Sequence, residues 1–167
     1  MVTDTLTMDE IEYDYYIALA RLYDNGDLRQ PYLQDMPSSN TQRLGAIAET
    51  RFITECLERN FEPHTPTTPM PWDYIVHCPA GDLKVQVKST AVKVQDKYYN
   101  ISTGSGSTSK AHMSDIVDVV ACYAAPANMW WMIPRSALTS LTIKLYDDNS
   151  SKSKYMKYQN NWSIYYK

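Results

Sequence analysis

Two segments of alternating apolar and polar residues, joined by a short turn, constrain the fold of this chain most strongly. The first covers residues 72–78 (WDYIVHC) and the second covers residues 83–90 (LKVQVKST). A period of two is typical of β-strands. The residues between them, Pro79-Ala80-Gly81-Asp82, favour a turn, so the two segments are predicted to form a β-hairpin.

The register of this hairpin decides which side chains meet. With four turn residues, Ile75 lies opposite Gln86 and Asp73 lies opposite Lys88. Opposed residues of an antiparallel pair share one face of the sheet, with Cβ atoms about 5 Å apart. Asp73, Gln86 and Lys88 are therefore predicted to converge on one face. The other face is apolar and suits a core: Tyr74, Val76, Val85 and Val87. A slip of one residue would reverse the faces of one strand.

A helix is predicted over residues 42–60, upstream of the hairpin. Its apolar stripe contains Leu44, Ala48, Phe52, Ile53, Cys56 and Leu57. Glu49 lies at the edge of this stripe, because its neighbours three and four positions away are all small or apolar. A carboxylate in that position is costly unless a lysine or a metal ion compensates its charge. Glu49 is therefore a candidate functional carboxylate.

An aspartate, an amide, a lysine and a second carboxylate together suit metal-assisted phosphodiester hydrolysis. The Asp73 carboxylate and the Gln86 carbonyl are hard oxygen ligands of the kind that Mg²⁺ accepts, and Glu49 could join them directly or through water. Lys88 could orient and help deprotonate the attacking water, or stabilise the phosphorane charge. These four residues are predicted to be catalytic, with Mg²⁺ as the cofactor and Mn²⁺ as an alternative. Alone, Asp73 and Lys88 would equally suit an exposed cross-strand ion pair.

The same residues resemble the motif of the PD-(D/E)xK nuclease superfamily. Asp73 and Gln86-Val87-Lys88, after a helix with Glu49, match the variant in which glutamine replaces the second acid. The strand VQVKST is similar to that of small endonucleases, a group that includes homing endonucleases; Holliday-junction resolvases are more distant relatives. The resemblance covers roughly residues 42–140. Trp72 stands where the family usually has proline.

This resemblance implies an α/β (α+β) fold with a restriction-endonuclease-like core. In that core a central mixed sheet of about four strands is flanked by helices in the order αβββαβ. It also implies a metal-dependent DNA endonuclease that cuts duplex DNA at a specific site, as homing or restriction enzymes do. Three alternatives stay open: a resolvase of Holliday junctions or other branched DNA (or an RNA nuclease), a non-catalytic nucleic-acid-binding protein on the same fold, and a purely structural domain.

Other segments predict a mixed sheet independently of the motif. Strands are expected within residues 92–102, 115–125, 129–134 and 141–146, and a short helical turn over residues 135–140. Upstream, residues 9–23 have helical spacing and residues 27–41 are rich in turn formers. The chain is thus predicted to consist of an N-terminal helical extension, residues 1–41, and a nuclease domain, residues 42–167.

Positive charge is concentrated in the second half of the chain. The net charge is −3, but all ten lysines lie at or after Lys84, and residues 84–167 carry a net charge of +6. These lysines form either an ordinary solvated surface or a basic surface for an anionic partner. Residues that could contact DNA phosphates flank the predicted site: Gln42, Arg43, Ser89, Thr90, Lys93, Lys97 and Lys110. For each of them a plain surface or strand-end role is the alternative.

Assembly and location are expected from more general arguments. Cutting both strands of a duplex is easiest with two active sites, so a homodimer or a larger symmetric oligomer is predicted. No apolar run approaches the ~20 residues of a membrane span, and the acidic N-terminal sequence lacks signal-peptide features. The three cysteines are widely spaced, as expected of free thiols in a reducing compartment. A cytoplasmic, non-secreted protein is expected.

Overall fold

The computed structural model describes residues 41–105, 111–112, 115–148 and 153–167. The predicted helix over residues 9–23, the loop that follows it and Lys110 lie outside these ranges, and the division at residue 41 stays a prediction. Besides four short 3-10 helices, the described elements are one α-helix, α1 (Thr41–Glu58), and ten strands: β1 (Glu62–His64), β2 (Tyr74–Cys78), β3 (Gly81–Thr90), β4 (Lys93–Val94), β5 (Tyr98–Ser102), β6 (Gly104–Ser105), β7 (Ala111–His112), β8 (Val119–Ala124), β9 (Met129–Pro134) and β10 (Thr142–Leu145). None of the described helices has the length and apolar character needed to cross a membrane.

The central sheet has five strands in the order β1-β2-β3-β8-β9. The β3–β8 pair is parallel and the other pairs are antiparallel. The α+β class with a central mixed sheet is thus confirmed. A 3-10 turn, Ala125–Ala127, joins β8 to β9, so the described part of this connection holds no second α-helix. Pro126 is the second residue of that turn, and Asn128 ends it in the left-handed region with φ 51°.

The β2–β3 hairpin forms, but its predicted register was wrong by two residues. Cys78 pairs with Gly81 and Ile75 pairs with Lys84, so the loop has two residues instead of four. Gly81 makes this tight turn possible because its φ of 106° lies in a region that other residues rarely adopt. A shift of two residues preserves the faces of both strands. Val85 and Val87 are accordingly buried, as the alternation predicted.

Helix α1 covers one face of the central sheet. Leu44, Ala48, Phe52 and Cys56, spaced four residues apart, are all buried. The Phe52 ring packs against the Tyr74 ring, with centroids 5.5 Å apart. Leu57, which was predicted to belong to this stripe, is 51% exposed instead. The buried stripe therefore runs along the i, i+4 line of the helix and fixes which side of α1 faces the sheet.

A second, three-stranded sheet with the order β10-β5-β4 covers the opposite face of the central sheet. The predicted strand over residues 92–102 is in fact two strands, β4 and β5, and β5 pairs with β10. Buried side chains fill the space between the sheets, among them Tyr99, Ile101, Val120, Cys122, Trp131, Ile133, Ile143 and Leu145. Val120 and Cys122 are the register partners of Gln86 and Lys88. The Gln86 and Lys88 side chains therefore lie on the side of the small sheet.

Candidate active site

The site forms where β3 extends beyond β2. The pairing of the two strands ends at Tyr74 and Val85, so the last five residues of β3 have no partner in β2. Asp73 lies at this point of divergence. Its N–H donates to the Val85 carbonyl at 2.9 Å, and its Oδ2 accepts from the Val87 N–H at 2.7 Å. A side chain thus takes the place of a β2 partner and fixes the carboxylate beside the part of β3 that extends beyond β2.

Gln86 contacts the same carboxylate oxygen. Its Nε2 donates to Asp73 Oδ2 at 2.7 Å, so the structure brings these two predicted site residues into direct contact. Asp73 Oδ2 therefore accepts two hydrogen bonds. Asp73 Oδ1 and the Gln86 carbonyl Oε1 make no hydrogen bond to any described residue and are free to contact a ligand.

Lys88 follows two residues later on the same face of β3 and is half-buried. Burial raises the pKa of Asp73 and that of the Cys122 thiol, the partner of Lys88 on β8, and the Lys88 charge opposes this rise at both groups. Within the described ranges, the Lys88 ammonium makes no hydrogen bond or ion pair. It can therefore contact a phosphate or a water molecule without first breaking a salt bridge.

Glu49 lies on helix α1, close enough to Asp73 for the two charges to interact. Burial, and then the negative charge of Asp73, raise the pKa of the Glu49 carboxyl. Burial also raises the pKa of Asp73, although the Val87 N–H, the Lys88 charge and the Gln86 amide act in the opposite direction. Burial and both carboxylates raise the pKa of the Tyr74 hydroxyl to about 12. The site thus concentrates negative charge that a cation or a proton would relieve.

The donor atoms suit a hard divalent cation. The two carboxylates and the Gln86 carbonyl supply only oxygen. Among the residues that the structure describes, no group of three His, Cys, Asp or Glu side chains is placed to hold a metal. A set of two carboxylates and one amide oxygen is poorly suited to zinc. It fits Mg²⁺, which is held by one or two carboxylates and keeps several waters.

The predicted DNA-contacting residues near this site lie on α1 and at the end of β3. Gln42 and Arg43 are exposed in the first turn of α1. Ser89 and Thr90 are half-buried at the end of β3, where Thr90 Oγ1 accepts from the Val92 N–H at 3.3 Å. The Thr90 hydroxyl thus helps to end the strand, and a contact of these four residues with DNA stays a prediction.

Two further predicted contacts lie on the small sheet. Lys93, on β4, forms an ion pair at 2.7 Å with Asp147. The Asp147 carboxylate also accepts a hydrogen bond from the Tyr99 hydroxyl at 3.0 Å. Lys97 is exposed in the turn between β4 and β5. The structure gives Lys93 a carboxylate partner within the protein, whereas Lys97 faces solvent.

Sequence reasoning missed two backbone contacts that shape the site. One is the Val87 N–H that holds Asp73. The other joins Asp118, which lies within the strand segment predicted over residues 115–125, to Lys84. Asp118 Oδ2 accepts from the Lys84 N–H, and the Asp118 N–H donates to the Lys84 carbonyl, both at 2.8 Å. This double contact fastens the start of β8 to β3. An aspartate directly before a buried strand was the only signal, and that pattern is common.

Comparisons with known proteins agree with this architecture. The sequence profile of the PD-(D/E)XK endonuclease family matches residues 39–165. The structure of a bacterial homing endonuclease, I-Ssp6803I, is similar with a TM-score of 0.64 and 20% sequence identity, and the match covers 78% of this chain and 93% of that chain. No curated protein matches the sequence. At this identity the structural likeness establishes the fold, and the profile match, which spans most of the sequence, establishes the family. The chain belongs to the PD-(D/E)XK endonuclease family.

Proposed function

We propose that this protein is a metal-dependent endonuclease that hydrolyses phosphodiester bonds of duplex DNA at a specific site. Membership of an endonuclease family supports nuclease activity on DNA. The homing endonuclease named among similar structures favours a site-specific enzyme of the homing or restriction type. One observation carries the assignment: the Asp73 carboxylate is held by Gln86 and the Val87 N–H while a lysine and a second carboxylate lie nearby.

In this proposal Asp73, Gln86 and Glu49 hold Mg²⁺, or Mn²⁺ in its place. When bound, such an ion supplies an activated water and offsets the charge of the phosphate. The Val87 N–H keeps the Asp73 carboxylate fixed, so that its second oxygen can bind the ion. The Lys88 ammonium orients the attacking water and donates hydrogen bonds to the phosphate oxygens on which negative charge develops.

A homodimer or larger symmetric oligomer is part of the proposal. One chain has one set of these four residues, and a duplex has two strands to cut. Light scattering after gel filtration should give at least twice the chain mass of 19.2 kDa. The three buried free cysteines support an intracellular setting at DNA.

The substrate class separates this proposal from its alternatives. The test offers a random-sequence duplex pool, a four-way junction and single-stranded RNA to the protein with Mg²⁺. Enrichment of one duplex sequence among the cut products supports the site-specific enzyme. Preferential cutting of the junction would point to a branched-DNA resolvase instead, and binding of duplex without any cutting would point to a non-catalytic DNA-binding protein.

A further inference from the structure

A groove of about 400 Å³ lies on the small sheet, along β10 and against the chain that follows it. We call it the β10 groove, and its lining residues are Ser140, Thr142, Ile143, Lys144, Tyr146, Ser153, Lys154 and Tyr155. Two of these carry a positive charge and three carry an aliphatic hydroxyl. None carries a carboxylate, so the lining suits an anion.

The two lysines of the groove keep their charge unneutralised. Lys144 and Lys154 are both exposed, and within the described part of the chain neither forms an ion pair with a carboxylate. Lys144 Nζ lies 4.5 Å from the centroid of the Tyr98 ring, and Lys154 Nζ donates to Thr139 Oγ1 at 2.7 Å. An ammonium has three N–H groups, so hydrogen-bonding capacity remains at Lys154. Lys93 on the same sheet differs, because Asp147 already pairs with it.

The groove lies on the same side of the central sheet as the candidate active site. Ile143 and Leu145 of β10 pack into the core between the sheets, whereas Lys144 between them points outward. Gln86 and Lys88 lie on the face that this small sheet covers. Packed sheets are about 10 Å apart, and duplex DNA presents one phosphate per about 1.7 Å of its axis. A duplex that extends across both layers therefore offers phosphates to each of them.

We propose that the β10 groove binds the phosphate backbone of the duplex DNA substrate. Lys144 and Lys154 each contact a phosphate, and the exposed Thr142 hydroxyl is placed to donate a hydrogen bond to one. Such contacts position the duplex without reading its sequence. This inference rests on the proposed function, since it assigns the groove to the substrate of that same site.

The test measures duplex binding by fluorescence anisotropy over a series of salt concentrations, without divalent metal so that no cutting occurs. Log affinity falls as log salt rises. The double variant Lys144→Ala/Lys154→Ala should reduce the steepness of this fall by about 2, or about 1 per lost phosphate contact. The control is Lys167→Ala, which removes an exposed lysine outside the groove and should leave the slope within about 0.3. Because Lys144 and Lys154 are exposed, thermal melting should show the variants to be folded.

The outcomes separate this inference from the proposed function. A slope equal to that of the wild-type protein in the double variant would overturn the β10 groove, even if the wild type cuts DNA. A reduced slope in a protein that cuts no DNA would support the groove and count against catalysis. Failure of the wild-type protein to bind any duplex would overturn both.

Discussion

Asp73 Oδ2 accepts one hydrogen bond from the Gln86 side chain and a second from the Val87 backbone, both at 2.7 Å. The two donors hold the carboxylate rigidly at the edge of β3. They also reduce, but do not cancel, the effect of burial, because the pKa of Asp73 stays above its ordinary value. A fixed, partly desolvated carboxylate whose other oxygen bonds to no described residue is suited to bind a cation.

Lys88→Ala should lower the DNA cleavage rate by about 10²–10³-fold, the range expected when a group that stabilises transition-state charge is lost. Lys84→Ala is the matched control, because Lys84 lies four residues earlier on the same face of β3. Its ammonium lies over the Trp72 ring, 5.3 Å from the centroid, and no catalytic role is assigned to it. Rates measured in single turnover should separate the two variants, and equal losses would show that Lys88 has no special role.

Glu49→Gln should make the protein more stable at neutral pH, raising Tm by about 1–3 °C. Burial and the charge of Asp73 disfavour the charged form of Glu49, and the substitution removes that charge at constant size. The control is Glu58→Gln, which changes an exposed carboxylate of the same helix. An unchanged or lower Tm in Glu49→Gln would mean that the wild-type carboxylate carries no such penalty.

The difference in Tm between Glu49→Gln and the wild-type protein should depend on pH in one direction. The folded-state pKa of Glu49 lies above its ordinary value of 4.5, so protonation favours the folded state. As pH falls through the raised pKa, the wild-type protein gains stability relative to Glu49→Gln. The difference in Tm should therefore close below pH 4.5, and a gap that widens on acidification would contradict the assignment.

Added Mg²⁺ should raise Tm, and this effect should weaken as pH is lowered from about 8 to about 5, since protons compete with a cation for carboxylates. Burial raises the pKa of both Glu49 and Asp73, so the competition begins above the ordinary range of carboxyl groups. Differential scanning fluorimetry with and without Mg²⁺ measures this. Asp73→Asn should show little stabilisation at any pH, and a full response in that variant would place the metal elsewhere.

Asp118→Ala should lower Tm by about 2–4 °C, the scale of one net hydrogen bond. The variant loses the contact from Asp118 Oδ2 to the Lys84 N–H, which joins β8 to β3. Asp115→Ala is the comparison, because its side chain is 95% exposed where it pairs with Arg135, and its effect should be smaller. If the two variants have the same Tm, Asp118 has no special role in joining β8 to β3.

Much of the fold was visible in the sequence because its strands have strong local signals. Residues 129–134 form β9 with the bounds that were predicted. Period-two alternation placed Asp73, Gln86 and Lys88 on one face, and that placement survived a register error of two residues because a shift by two preserves the faces. The error itself came from Gly81, whose positive φ permits a two-residue loop.

Other features depend on contacts between residues far apart in the sequence. The small sheet depends on the pairing of Leu145 with Tyr99, and no local sequence pattern predicts this pairing. The Val87 N–H that holds Asp73 is a backbone group, and any residue type at position 87 except proline would supply it. The environment of Lys88 beside Cys122 likewise follows from the parallel pairing of β3 with β8.

Metal-dependent cutting of DNA by wild type, Asp73→Asn and Asp82→Asn tests the central claim most directly. The substrates are a supercoiled plasmid and a random-sequence duplex pool, each with and without Mg²⁺. Asparagine can still accept hydrogen bonds from Gln86 and Val87, so Asp73→Asn keeps the local structure but loses the charge. Asp82→Asn is the control, because Asp82 is an exposed hairpin residue beside His77. We predict Mg²⁺-dependent cutting by the wild type and by Asp82→Asn, and none by Asp73→Asn. Undiminished cutting by Asp73→Asn would contradict the account.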